Sequence, residues 1–136
     1  MKVLKIILST AILAISFGSC DPLPEEEQTR FFLSKEWRLT DIKKNGVSET
    51  NVDFSRYRLT FNEDQSLFLV DFDGTEREGE WQLANADREI ILFPGELNEQ
   101  RFLIITLQIR QMELQTVLTS NKTGSAEFRF LFEPAP

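Results

Sequence analysis

Apolar and polar residues alternate along most of the chain from Trp37 onward, and clusters of Gly, Pro, Asn and Asp interrupt the alternation. Because successive side chains on a strand point to opposite faces, this pattern predicts half-buried β-strands separated by turns. The apolar positions of the eight predicted strands are Trp37 and Leu39; Tyr57, Leu59 and Phe61; Phe68, Val70 and Phe72; Trp81 and Leu83; Ile90 to Phe93; Phe102, Ile104 and Thr106; Met112, Leu114, Thr116 and Leu118; and Phe128, Phe130 and Phe132. Eight short strands with mostly short connections predict an all-β fold, an antiparallel barrel or sandwich in which neighbouring strands pair in chain order.

Two segments depart from this alternation. The segment from Thr29 to Glu36 predicts a short helical turn, whose apolar residues 31–33 are expected to pack under the domain. The connection from Asn45 to Asp53 is the longest between two predicted strands, and it is polar except for Val47 and Val52. Because it lacks the turn chemistry of a tight hairpin, we expect a mobile loop that lies over one end of the barrel.

The first twenty residues have the layout of a secretory signal peptide. Lys2 and Lys5 give a positive start, the segment from Ile6 to Ser16 is almost wholly apolar, and two small residues precede Cys20. The apolar segment is shorter than the about 20 residues that a membrane-spanning helix needs. Its end resembles the lipobox of bacterial lipoproteins, a family in which the leader is cut before the cysteine and the cysteine is lipidated. The resemblance implies a lipid on Cys20 and a cell-envelope lipoprotein of the outer membrane, facing the periplasm or the cell surface.

Three segments follow from this interpretation. Residues 1–19 are expected to form a cleaved signal peptide, and residues 20–30 are expected to form the lipidated cysteine and an acidic tether. The tether contains two prolines and three consecutive glutamates, so it has too little apolar surface to fold by itself. Residues 31–136 are then one β-barrel domain of ordinary size with its own apolar core.

Composition excludes several classes of function. Residues 1–19 contain two of the 15 basic residues and none of the 22 acidic ones, so the remainder has 13 against 22 and a net charge of −9. An acidic surface repels nucleic-acid phosphates, and we expect no nucleic-acid partner. Histidine is absent and Cys20 is the one cysteine, so the chain lacks the commonest general base and the soft ligands of a structural zinc site. No metal and no cofactor are expected.

Two acidic motifs could carry chemistry. The segment from Asp71 to Gly74 resembles part of a calcium-binding loop, but the glutamate that such a loop needs at position twelve is absent, and Asp-Gly favours a hairpin turn. Glu78 and Glu80 share one strand face, and paired carboxylates can act as acid and base. Because solvated glutamates are far commoner on strands, we expect a turn, an exposed glutamate pair and no enzymatic activity.

The order of several short motifs is similar to that of the lipocalin-like lipoproteins of Gram-negative bacteria. These motifs are Leu33 with Trp37, Thr60-Phe61-Asn62 before Glu63-Asp64, Gly79-Glu80-Trp81, and the apolar strand and leucine-rich hairpin from Ile104 to Leu118. The resemblance extends from Leu33 to Phe132, which is nearly the whole predicted domain. It implies an eight-stranded, antiparallel, up-and-down lipocalin-like β-barrel and gives no enzymatic activity.

The interior of the predicted barrel is the first candidate site. An eight-stranded barrel is just wide enough to be filled by side chains or to hold one small ligand. If a cavity is present, we expect its ligand-binding lining to include Trp37, Phe61, Phe68, Trp81 and Phe130. If the barrel is filled, the same aromatic residues form its core.

Two predicted strands are apolar on both faces, which suggests a second candidate site. A barrel in water needs only one apolar face, so the surplus residues Leu67, Leu69, Leu103 and Ile105 could form an exposed surface for a partner. The sequence therefore favours a lipid-anchored envelope protein that binds a small apolar molecule. It leaves open the alternative of a filled, non-enzymatic barrel that docks an envelope protein.

Overall fold

The computed structural model describes residues 25–120 and 124–136, and it describes side chains from residue 27 to 116 and from 127 to 136. In these ranges the elements are α1 (Glu25–Leu33), β1 (Glu36–Lys44), β2 (Val47–Ser48), β3 (Arg58–Phe61), β4 (Ser66–Val70), β5 (Glu76–Ala84), β6 (Glu89–Leu92), β7 (Gln100–Gln108), β8 (Gln111–Ser120) and β9 (Gly124–Pro134). All eight predicted strands are found, and β2 is an additional strand of two residues. The predicted signal peptide and Cys20 lie outside the described residues.

Eight of these strands form a closed antiparallel barrel. The strand order is β2-β1-β3-β4-β5-β6-β7-β8-β9, and β1 also pairs with β9. Closure between the first and last long strands satisfies backbone groups that an open sheet would leave unpaired at its edges. The predicted antiparallel barrel, with neighbouring strands paired in chain order, is confirmed.

The connection after β1 is partly ordered as a tight hairpin. Asn45 and Gly46 have φ values of 50° and 83°, and β2 pairs with the end of β1 immediately after this turn. Positive φ at both central residues is typical of the two-residue turns that join paired strands. Asn45 also bonds to β9, because its Oδ1 accepts from Glu127 N at 3.0 Å. The expectation that this connection lacks a tight hairpin is therefore wrong, and its mobility stays a prediction.

The inward face of β4 differs from the prediction. Leu67 and Leu69 are buried, and they pair with Phe61 and Leu59, which are buried on β3. Cross-strand partners lie on the same face of a sheet, so these leucines point into the barrel. They cannot form part of an exposed partner surface. Phe68 takes the outward position instead.

Helix α1 closes the end of the barrel at which β1 begins, and this end is called the closed end below. Leu33 is fully buried, and its carbonyl oxygen accepts a hydrogen bond of 3.0 Å from Trp37 Nε1. Lys35 connects the helix to the β7–β8 turn, because its Nζ donates to Ile109 O at 2.9 Å. The guanidinium of Arg30 lies 5.8 Å from the ring centroid of Trp81. These contacts hold the helix across the barrel end.

The helix differs from the predicted one in two respects. It begins at Glu25, so residues 25–30 of the predicted tether are helical. Glu27 lies in the first turn, where the helix dipole favours negative charge. Phe31 is 62% exposed instead of packed under the domain. No helix in the described part of the chain has both the length and the apolar character needed to cross a membrane.

Candidate functional site

A cavity of about 420 Å³ lies at the barrel end opposite α1, which is called the open end below. The start of β3, the β4–β5 turn and the start of β7 surround it. Its lining residues are Tyr57, Leu69, Asp71, Phe72, Glu99, Gln100, Arg101, Phe102, Thr116 and Phe130. The cavity thus has a mostly apolar wall and a charged rim.

Strand alternation places two phenylalanines in the cavity wall. Phe102 on β7 pairs with Ile90 on β6, and Phe130 on β9 pairs with Leu114 on β8. Both phenylalanines therefore continue the inward face of the barrel. Their rings pack edge to face, with centroids 5.7 Å apart and an interplanar angle of 89°. This arrangement is favourable for aromatic pairs and gives the wall a fixed shape.

Tyr57 forms the wall next to the β4–β5 turn. Its side chain is only 7% exposed, and its ring centroid lies 4.6 Å from that of Phe72 and 6.2 Å from that of Phe132. Burial raises the pKa of the Tyr57 hydroxyl above its ordinary value of 10, and the negative charge of Asp71 raises it further. The hydroxyl therefore keeps its proton at physiological pH and can donate a hydrogen bond.

The rim carries charges of both signs in pairs. Asp71 Oδ2 lies 3.7 Å from Arg77 Nη2, and Glu99 Oε1 lies 3.7 Å from Arg101 Nη2. Asp71 Oδ1 also accepts a hydrogen bond of 2.8 Å from Phe72 N, which fixes this carboxylate beside the cavity. Partly exposed pairs of this kind contribute little stability, so their main effect here is on the charge of the rim.

Three of the predicted lining residues lie elsewhere. Trp37, Phe61 and Trp81 are fully buried at the closed end, and none of them lines the cavity. The rings of Phe61 and Trp81 pack edge to face with centroids 5.4 Å apart, and Trp81 Nε1 donates to Asn62 O at 3.0 Å. These residues fill the closed end of the barrel.

The other two predicted lining residues, Phe130 and Phe68, lie on opposite faces of the barrel wall. Phe130 lines the cavity, whereas Phe68 pairs with Thr60 and Glu78 on the outer face of β4. The predicted inward orientation of Phe68 is wrong, because both faces of β4 are apolar and alternation cannot tell them apart. Tyr57, Phe72 and Phe102 line the cavity but were not predicted to do so. They lie near the strand ends opposite α1. The sequence can identify them as lining residues only once the strand directions are known.

Two of the four residues of the predicted partner surface are exposed, and the other two are buried. Leu103 and Ile105 on β7 are 41% and 38% exposed, whereas Leu67 and Leu69 are buried. Two half-exposed side chains form a small patch, and single surface apolar residues are common.

The acidic motifs have structural positions. Asp71 to Gly74 form the turn between β4 and β5, in which Gly74 N donates to Asp71 O at 3.0 Å. Glu78 and Glu80 are exposed and line a surface hollow of about 470 Å³ together with Glu96. No group of three or more acidic, histidine or cysteine side chains in the described ranges is arranged to hold a metal ion.

Comparison with protein families identifies one domain. Residues 33–114 match the model of the lipocalin-like domain. This segment contains the strands from β1 to β7 and the start of β8. Among curated protein sequences, none matches the chain.

Solved structures that align with this chain come from two Bacteroides species and from cattle. A lipocalin-like protein from Bacteroides uniformis aligns with a TM-score of 0.51 at 18% identity, over 76% of this chain and 99% of the other. An uncharacterized protein from Bacteroides eggerthii gives 0.49 at 16% identity, over 76% and 99%. Bovine odorant-binding protein, in complex with a selenium-containing odorant, gives 0.48 at 12% identity, over 79% and 73%. The first of these similarities supports the fold alone.

Proposed function

This chain belongs to the lipocalin-like domain family, and from that premise we propose that it binds a small, largely apolar molecule in the cavity at the open end of its barrel. The observation that carries the proposal is the cavity itself, with Tyr57, Leu69, Phe102 and Phe130 in its wall. Ligand pockets in proteins are mostly apolar, and a few polar groups orient the ligand.

The volume of the cavity limits the ligand. About 420 Å³ lies near the lower end of the about 300–1,000 Å³ that ligand pockets occupy. A ligand cannot extend deeper, because Trp37, Phe61 and Trp81 fill the closed end. The proposed ligand is therefore compact. It binds near the rim, and the proposal includes no catalytic step.

A cavity-filling substitution tests the proposed binding. Thr116 is half-buried in the cavity wall, so Thr116→Phe should occupy ligand space while the barrel stays folded. With N-phenyl-1-naphthylamine as a neutral apolar probe, we expect fluorescence titration to show at least about tenfold weaker binding to this variant.

The matched control weakens the core without entering the cavity. Phe61→Leu lies at the closed end, so it should lower the melting temperature and leave the probe affinity within about twofold. Unchanged affinity in Thr116→Phe, or no binding to the wild-type protein, would contradict the proposed function.

The proposal also includes an anchor at Cys20. The positive start, the apolar segment and the small residues before Cys20 support lipidation and a place on the outer membrane. Cys20→Ala should give a protein that lacks the lipid mass and fractionates as soluble, whereas Ser19→Ala should remain in the membrane fraction. Mass spectrometry and fractionation of both variants provide the measurement. A Cys20→Ala protein with the mature wild-type mass in the membrane fraction would refute the anchor.

Docking of an envelope protein remains the second candidate. It now depends on the exposure of Leu103 and Ile105, because Leu67 and Leu69 face the core. Replacing the two exposed residues together with lysine should abolish partner capture if this surface is used, without affecting probe binding. Retention of the partner by the double variant would exclude this surface.

A further inference from the structure

The hydroxyl of Tyr57 differs from the other polar atoms on large aromatic side chains of the chain. The chain has two tryptophans and one tyrosine, and each indole N–H donates to a backbone carbonyl oxygen at 3.0 Å. Tyr57 is nearly as buried, yet its hydroxyl forms no hydrogen bond with any residue that the structure describes. No buried side-chain nitrogen or oxygen of the described residues lacks a partner, so the Tyr57 hydroxyl reaches accessible space, and the space that Tyr57 lines is the cavity.

The rest of Tyr57 is held in place. Its backbone N donates to Phe54 O at 3.1 Å, and its carbonyl oxygen accepts from Leu39 N at 3.3 Å. The ring packs against Phe72 and Phe132. Only the hydroxyl lacks a partner, and Tyr57 is part of the cavity lining. Tyr57 therefore presents to a ligand a hydrogen-bond donor on a ring that is held in place.

The rim charges restrict the charge of that ligand. Arg77 and Arg101 are paired with Asp71 and Glu99, and both carboxylates line the cavity. An anionic ligand would approach two carboxylates, and the cation in the lining, Arg101, is already paired with Glu99. A cationic ligand would face Arg101 in the lining and the proton of the Tyr57 hydroxyl. A neutral ligand avoids both conflicts.

We infer that the ligand is a neutral, largely apolar molecule with an uncharged oxygen acceptor, such as a ketone or ester carbonyl, which accepts a hydrogen bond from the Tyr57 hydroxyl. The inference rests on the proposed function and specifies the class of its ligand. It excludes pure hydrocarbons and free fatty acids as preferred ligands.

Three probes of nearly equal shape separate these classes. They are 2-acetylnaphthalene with a carbonyl, 2-isopropenylnaphthalene without a polar atom, and 2-naphthoate with a negative charge. Each is titrated against the wild-type protein and against Tyr57→Phe, which removes the hydroxyl alone. Thermal unfolding of both proteins, without probe, shows whether the variant is folded. Because the hydroxyl has no protein partner, Tyr57→Phe should melt at or above the wild-type temperature.

We expect Tyr57→Phe to bind the ketone about fivefold to tenfold more weakly, the effect of one neutral hydrogen bond. Its affinity for the hydrocarbon should stay within twofold, and the carboxylate should bind most weakly to both proteins. Equal loss for ketone and hydrocarbon, no loss for the ketone, or tightest binding of the carboxylate would overturn the inference and leave the proposed function intact. If none of the probes binds to the wild-type protein, the proposed function fails as well.

Discussion

The ring of Phe93 packs directly against Gly79. A Cβ at this position would overlap the Cδ1 and Cε1 atoms of Phe93, a buried residue with a φ of 55°. Phe93 N donates to Glu80 O at 2.9 Å, so the turn after β6 is held against β5 while its ring fills the space beside Gly79. This contact gives a physical reason for a glycine two residues before Trp81.

Adding a methyl group at Gly79 should therefore destabilise the barrel. We expect Gly79→Ala to lower the free energy of unfolding by about 1–3 kcal/mol, because a packed ring must move. Urea denaturation measures the change. In a Phe93→Leu background the same substitution should cost less, because the aromatic ring is absent. An equal cost in both backgrounds would show that Phe93 is not the cause.

Asp64 offers a test of local electrostatics. Its Oδ1 accepts hydrogen bonds from Ser66 Oγ at 2.6 Å and from Ser66 N at 2.9 Å, and these lower the pKa of the carboxyl below its ordinary value of 3.8. A lowered pKa stabilises the fold above pH 3.8, and this contribution is lost as the pH falls through the folded pKa. Ser66→Ala should raise the pKa of Asp64 towards 3.8, as measured by carbon-13 NMR. An unchanged pKa would contradict this assignment.

Helix α1 packs on the barrel through one of its sides. Leu33 is fully buried over the closed end, whereas Phe31 is largely exposed. Leu33→Ala should lower the free energy of unfolding by about 2–5 kcal/mol, because it leaves a cavity beside Trp37. Phe31→Ala, on the same helix, should change it by less than about 0.5 kcal/mol. Equal effects of the two substitutions on denaturation would mean that α1 does not pack in this orientation.

The strands show which elements alternation can predict. Trp37 and Trp81 alternate with polar residues, and both point inward as expected. On β4 both faces are apolar, so the choice between Leu67 and Phe68 depends on the partners across β3 and β5, which the sequence does not supply. The turn at Asn45 has the Asn-Gly sequence of a tight hairpin, whereas the length of the polar connection favours a loop, so the two signals conflict.

The barrel has one filled end and one open end. The large inward aromatic residues could be predicted from the sequence, but not their distribution between the two ends. Trp37 and Phe130 both point inward, yet only Phe130 lines the cavity. That difference arises from strand direction, from closure of β1 against β9 and from the placement of α1. A filled end gives the wall of the open end a rigid support.

A ligand that binds at the open end should leave the closed end of the barrel undisturbed. Nitrogen-15 NMR during titration with N-phenyl-1-naphthylamine tests it directly, because both tryptophan indole N–H groups lie at the closed end. We expect the amide signals of Leu69, Phe102 and Thr116 to shift on binding, while the indole signals of Trp37 and Trp81 stay in place. Shifts of the indole signals without shifts of these three amides would contradict the account.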